Sequence, residues 1–110
     1  MTQINSQGQI TILPILIDPV QVAAFCQRHH ICKLSLFGSI LREDFTDTSD
    51  VDFLVEFEPG KTPGLAIVSM EDELSAMLQG RKVDLRTPNE LSRYFRDRVF
   101  SEALTLYDRP

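Results

Sequence analysis

Gly38-Ser39 and, after a ten-residue spacer, Asp50-Val51-Asp52 are the residues of this chain best suited to chemistry. A glycine turn at the end of the apolar run Leu34, Leu36, Phe37 can aim backbone N–H groups at a phosphate, and the serine hydroxyl adds a donor. Asp50 and Asp52 stand at i and i+2 in a run that reads as a strand, so their carboxylates share one face. Like charges so close repel unless a cation or a proton lies between them. A paired-carboxylate face beside a phosphate cradle is what divalent-metal nucleotide chemistry requires. The bland alternatives are a strand-ending turn for Gly38-Ser39 and an acidic loop for the aspartates. The spacing of the two pairs weighs against them.

Mg²⁺ takes hard oxygen ligands, usually one or two carboxylates plus phosphate oxygens, which makes Asp50 and Asp52 candidate ligands. Two such ions could serve the attacking oxygen and the leaving pyrophosphate. Asp84, between Val83 and Leu85, offers a third carboxylate from a neighbouring strand. The competing reading of Asp84 is a surface residue paired with Lys82 or Arg86.

These groups need a scaffold, and the pattern supplies one. Residues 1–9 are polar, without period, and are expected to be loose; residues 10–17 could add an apolar strand or strap. Asp18-Pro19 opens a helix as N-cap and first-turn proline. That helix carries Val22, Phe25 and Cys26 on one side and ends near His29-His30. Residues 33–37 read as a short buried strand, and 40–43 as a brief helical turn. Along 50–57, Asp50, Asp52, Leu54 and Glu56 alternate with Val51, Phe53, Val55 and Phe57. The second set should lie against helices.

After turns at Pro59-Gly60 and Pro63-Gly64, Leu65, Val68, Leu74, Met77 and Leu78 have helical spacing, and Gly80 stops the helix. Residues 82–86 form a third strand. Thr87-Pro88-Asn89-Glu90 has the form of a capping box, opening a last helix to about Ala103. Residues 104–107 close the chain as a strand or strap. This order describes a small mixed α/β sheet with helices packed on one side.

The chain has 110 residues, 43% of them apolar, which suits one domain over 1–110 with its own core. No apolar run approaches the roughly 20 residues of a membrane span, and the start lacks signal-peptide features. Cys26 and Cys32 have neither metal-ligand nor disulfide spacing, so reduced thiols and a cytoplasmic location are expected. A net charge of −5 argues against general nucleic-acid binding. Acidic residues crowd 43–58. Arg81, Lys82, Arg86, Arg93, Arg96 and Arg98 form a basic counterpart: either a solvated surface or a strip that meets phosphates or an acidic partner. His29 and His30 suit capping or surface roles. Phe95 and Phe100, five apart, suit the core better than a base-stacking platform, and nothing local marks Tyr94 or Tyr107 as an acceptor.

Gly-Ser, a ten-residue spacer, Asp-x-Asp and a downstream carboxylate together resemble the nucleotidyltransferase superfamily of DNA polymerase beta, over about residues 34–107. The short spacer is similar to the minimal (MNT) branch, and within it to MntA-type antitoxins, which work opposite a HEPN-domain toxin. The resemblance implies the polymerase beta-like fold, with Gly38 and Ser39 at the β- and γ-phosphates and Asp50 and Asp52 as metal ligands. It makes Asp84 the ligand of the catalytic metal and a candidate base. Arg42 matches the second arginine of the family's Gly-Ser-Arg-Ala-Arg-Gly stretch, as a phosphate or partner contact or an exposed helix-end residue. Ile40 and Glu43 depart from that stretch, which bears on how the triphosphate or the partner is steered.

The function so implied is Mg²⁺-dependent transfer of AMP from ATP to a tyrosine of a cognate HEPN ribonuclease toxin, silencing it, in a type VII-like toxin–antitoxin pair. The alternatives are a small-molecule acceptor, such as an aminoglycoside, and a non-catalytic antitoxin that works by contact.

Overall fold

The computed structural model describes residues 2–4 and 10–109. Strand β1 (Thr2–Ile4) pairs antiparallel with β2 (Ile10–Ile12), so part of the stretch expected to be loose is a strand; Met1 and residues 5–9 lie outside the described residues. The apolar strap then runs on in period 2. Leu13, Ile15 and Ile17 are buried while Leu16 faces out.

Helix α1 (Pro19–Arg28) starts as its sequence demands, with the Asp18 carboxylate accepting a hydrogen bond from the Val20 N–H at 2.9 Å. Val22, Phe25 and Cys26 form its buried stripe, and His29 is its C-cap. Strand β3 (Ile31–Phe37) follows, then a single 3₁₀ turn (Gly38–Leu41) and strand β4 (Val51–Phe57). Helix α2 (Ile67–Met77) leads to β5 (Val83–Arg86), and α3 (Arg93–Glu102) to β6 (Leu104–Asp108).

The main sheet has the order β5-β4-β3-β6, with β3 antiparallel to both neighbours and β5 parallel to β4. Leu34 and Leu36 of β3 and Val51, Phe53 and Val55 of β4 point into one core. There they meet Val22, Phe25 and Cys26 of α1 and Met70 and Leu74 of α2. These two helices form a layer on one side, but the expectation that the helices share one side is corrected for α3. On the other face, Leu54 packs with Phe37, Leu91, Val99 and Ala103 in a smaller cluster, which seats α3 there.

Two local expectations are corrected. The buried stripe of α2 runs through Met70, Leu74 and the following Leu78, whereas Leu65 is 93% and Val68 58% exposed. Leu65 belongs to a separate 3₁₀ turn (Gly64–Ala66), so it is out of phase with the helix behind it. The Thr87–Glu90 box does form, with Thr87 N–H donating to Glu90 Oε1 at 3.1 Å. It closes only a 3₁₀ turn (Pro88–Glu90), and α3 has its own N-cap in Ser92, whose Oγ accepts from the Phe95 N–H. Arg96 ties the two pieces together, donating from Nε to the Pro88 carbonyl at 3.0 Å and from Nη2 to the Leu91 carbonyl at 3.2 Å.

Candidate active site

Gly38 stands where β3 ends, with a positive φ of 80° that glycine adopts without steric penalty. The β3–β4 register sets Phe37 opposite Asp52, which brings Gly38 against the Asp52 carboxylate. A Cβ at Gly38 would collide with Asp52 Oδ2. Ser39 follows inside the 3₁₀ turn, which the Arg42 N–H closes by donating to the Ser39 carbonyl at 2.9 Å. The helical turn thus lies two residues earlier than the 40–43 expected, and Ser39 is part of it.

Asp52 and Asp84 are register partners on the parallel strands β4 and β5, so both carboxylates project from one face of the sheet. Asp50 directly precedes β4. Its neighbour Val51 is held to the start of β5 by a hydrogen bond from the Val51 N–H to the Lys82 carbonyl, 2.8 Å. Asp52 feels the other two negative charges. Partial burial, then Asp84, then Asp50 push the Asp52 carboxyl up from an ordinary 3.8 to about 6, against the opposing pull of Arg86 and Arg42.

The cations divide among these groups. Arg86 Nε donates to Asp84 Oδ1 and Oδ2 at 3.1 and 3.2 Å. Asp84 is therefore both a partner of Arg86, as its competing reading had it, and a neighbour of Asp52. Lys82 Nζ lies 3.9 Å from Asp50 Oδ2. Arg42 reaches outward, with Nε donating to Asp44 Oδ1 at 3.3 Å, yet it still lowers the charge burden on Asp52.

The basic residues of 81–98 do not form one free strip. Arg81 stacks on the Phe45 ring at 5.2 Å and faces Asp47 at 3.6 Å, Arg86 serves Asp84, and Arg96 is used within the fold. Cys26 is equally committed: burial pushes its thiol up to about 12, so it is a core residue and not a nucleophile.

A cleft of about 350 Å³ opens beside Asp52. Gly38, Arg42 and Asp52 line it from the sheet, and Phe95, Arg98 and Glu102 from α3. Phe95 and Phe100, expected in the core, are 47% and 41% exposed. Arg98 was expected only as one of a basic strip, and the places of Phe95 and Glu102 on the cleft were missed by sequence reasoning. Their spacing of i, i+3 and i+7 put them on one helix face, but nothing in it said which face meets the cleft. Arg86 was more legible, since period 2 places it on the face of Asp84.

The donor set suits Mg²⁺. The oxygens are hard, and the mutual repulsion felt by Asp52 is the kind a cation relieves. Among the described residues no three ligating side chains already form a cage. Mg²⁺ characteristically keeps waters and takes substrate phosphates to complete its octahedron, so it asks for only one or two carboxylates from a protein.

The family model "Polymerase beta, Nucleotidyltransferase" matches residues 21–110. A presumed protein adenylyltransferase of Methanocaldococcus jannaschii is 37% identical over 93 residues, covering 84% of this chain and 87% of the relative. The structure of a presumed minimal nucleotidyltransferase superposes with a TM-score of 0.66 at 32% identity, over 78% of this chain and 86% of the other. Two toxin–antitoxin crystal structures share the fold over 84% of this chain and 74% of theirs. One is an MntA-HpeT mutant (TM-score 0.66, 15% identity), the other a complex with AMP-PNP (TM-score 0.67, 17% identity). With the Gly38 turn abutting Asp52, and Asp52 in register with Asp84, the chain belongs to the polymerase beta nucleotidyltransferase family.

Proposed function

We propose that this protein is a Mg²⁺-dependent protein adenylyltransferase that moves AMP from ATP onto a tyrosine of a cognate HEPN-domain ribonuclease toxin, as the antitoxin of that pair. The observation that carries the reading is the register of Asp52 with Asp84 beside Gly38, which sets two carboxylates and a glycine turn at one end of the sheet. The Methanocaldococcus relative supports protein as the acceptor, and the shared fold of the two toxin–antitoxin structures supports the kind of partner.

In this reading Gly38 and Ser39 hold the β- and γ-phosphates with backbone and hydroxyl donors, and Arg42 adds positive charge at the rim. Asp50, Asp52 and Asp84 would hold Mg²⁺, two ions in the fullest form, which supplies charge neutralisation at the phosphates and at the attacking oxygen. The acceptor hydroxyl oxygen bonds to the α-phosphorus, the bond from that phosphorus to the bridging oxygen breaks, and pyrophosphate leaves. Asp84 takes the hydroxyl proton. A cytoplasmic location fits the partner and the free thiols; among the described residues no helix is long and apolar enough to cross a membrane.

The test is to incubate the protein with ATP, Mg²⁺ and the toxin and weigh the toxin. A gain of one or more adenylyl units on a tyrosine, with loss of ribonuclease activity, is expected, and the Asp50→Asn/Asp52→Asn variant should give neither. Equal neutralisation by both proteins with no mass change would make this an antitoxin acting by contact. An untouched toxin beside a modified aminoglycoside would make it a small-molecule enzyme.

A further inference from the structure

For the cleft beside Asp52 to take a polyphosphate it needs positive charge, and this chain lacks one source of it. Ile40, where the resembling Gly-Ser-Arg stretch has its first arginine, is 2% exposed and part of the main core. Arg42 is turned toward Asp44, and Arg86 is held by Asp84, with Glu90 nearby at 3.9 Å. Arg98 lines the same cleft from α3. Its Nε donates to Glu102 Oε1 at 3.3 Å, in an i,i+4 pair whose two side chains are 69% and 54% exposed. An exposed pair of this kind is weak and readily exchanged, whereas a guanidinium binds phosphate oxygens in bidentate fashion. Phe95, three residues before Arg98 and so on the same face, presents a half-exposed ring to this polar cleft.

We propose that α3 is the nucleotide-recognition wall of the cleft: Arg98 leaves Glu102 to pair with the phosphates of a nucleoside triphosphate, and the Phe95 ring packs on its base. This rests on the nucleotidyltransferase reading above and adds to it two binding residues outside the Gly-Ser and Asp-x-Asp pairs. Glu102, on the same wall, competes with phosphate for Arg98 and repels it.

Calorimetric titration of the full chain in Mg²⁺, with ATP and with inorganic tripolyphosphate as separate probes, tests both roles. Arg98→Ala should weaken both probes about tenfold or more, the loss of one charge-assisted contact, and Arg98→Lys should recover part of it. Phe95→Ala should weaken ATP about tenfold, as the loss of one stacked base does, while leaving tripolyphosphate within about twofold; Phe95→Trp should restore ATP. Glu102→Gln should tighten tripolyphosphate, a gain that no loss of structure would produce. If wild type binds ATP and Arg98→Ala and Phe95→Ala match it, the α3 wall is wrong and the nucleotidyltransferase reading stands. If Arg98→Ala does not fold, unchanged tripolyphosphate affinity in Arg98→Lys and Glu102→Gln overturns the role of Arg98. If wild type binds neither probe, both readings fall together.

Discussion

Gly38 and Asp52 lie so close that a methyl group on the first would occupy the space of the second's Oδ2. The β3–β4 register imposes this approach, and the left-handed backbone at Gly38 permits it. A Gly38→Ala variant must therefore strain its backbone by about 1–2 kcal/mol and also push the Asp52 carboxylate aside. Its melting temperature should drop modestly, with native circular dichroism, while Mg²⁺-dependent ATP affinity falls far more than that loss of stability explains. Wild-type affinity would mean that the contact does not matter for binding.

Asp52 gives the apoprotein a pH signature. Its folded pKa, about 6, lies above its ordinary 3.8, so between those values the folded state binds more protons than the unfolded state. Stability from this group is present below pH 4 and is lost as pH rises through 6. Each pKa unit is worth about 1.4 kcal/mol. Partial solvent screening brings the expected stabilisation by Asp52→Asn at pH 7 down to about 1–2 kcal/mol. Urea denaturation in chelator from pH 4 to 8 should show the variant's advantage growing with pH, and Mg²⁺ should stabilise only the wild type. An advantage that is flat or falls with pH would contradict this account.

Asp84 and the Asp50–Asp52 pair should separate in a kinetic experiment. Asp84→Asn is expected to keep most nucleotide affinity and to lose about 10²–10⁴-fold in turnover, the range of a missing proton acceptor. Asp50→Asn/Asp52→Asn should lose Mg²⁺-dependent binding itself. Near-normal transfer by Asp84→Asn would reduce that residue to the partner of Arg86.

Glu71 is a supporting residue that acts at a distance. From α2 its Oε2 accepts the Leu85 N–H at 2.8 Å, holding the edge strand next to Asp84. Glu71→Ala should cost about 1 kcal/mol in unfolding free energy, the usual worth of such a bond. Because the same bond fixes β5, turnover should fall with ATP affinity nearly unchanged. A drop in stability with full turnover would limit Glu71 to a structural role.

The sheet face that carries the carboxylates was legible because strand period is strict. Once Asp50 and Asp52 alternate with Val51 and Phe53, the pleat decides their side. Helix phase was less legible. Leu65 and Val68 stand about 180° and about 120° around a 3.6-residue helix from Leu74, so neither shares its buried face, and Leu65 lies ahead of the helix in its own turn. Thr87 and Glu90 satisfied a capping box whose reach is three residues, and nothing that local can say whether one turn follows or three. Phe95 looked like core on hydrophobicity alone. Its exposure is set by the register of α3 over Leu54, a contact between residues 54 and 99 that no window of sequence contains.

The parallel pairing of β4 and β5 also sets an order of assembly. Parallel neighbours cannot be joined by a tight turn, and here the crossover is α2. During synthesis Gly38, Asp50 and Asp52 emerge together, but Asp84 can reach its place only after the crossover has packed Met70 and Leu74 against the sheet. A ribosome-bound chain not yet extended past the crossover would hold the first carboxylates without the third. Completeness of the fold is thereby a precondition for completeness of the site.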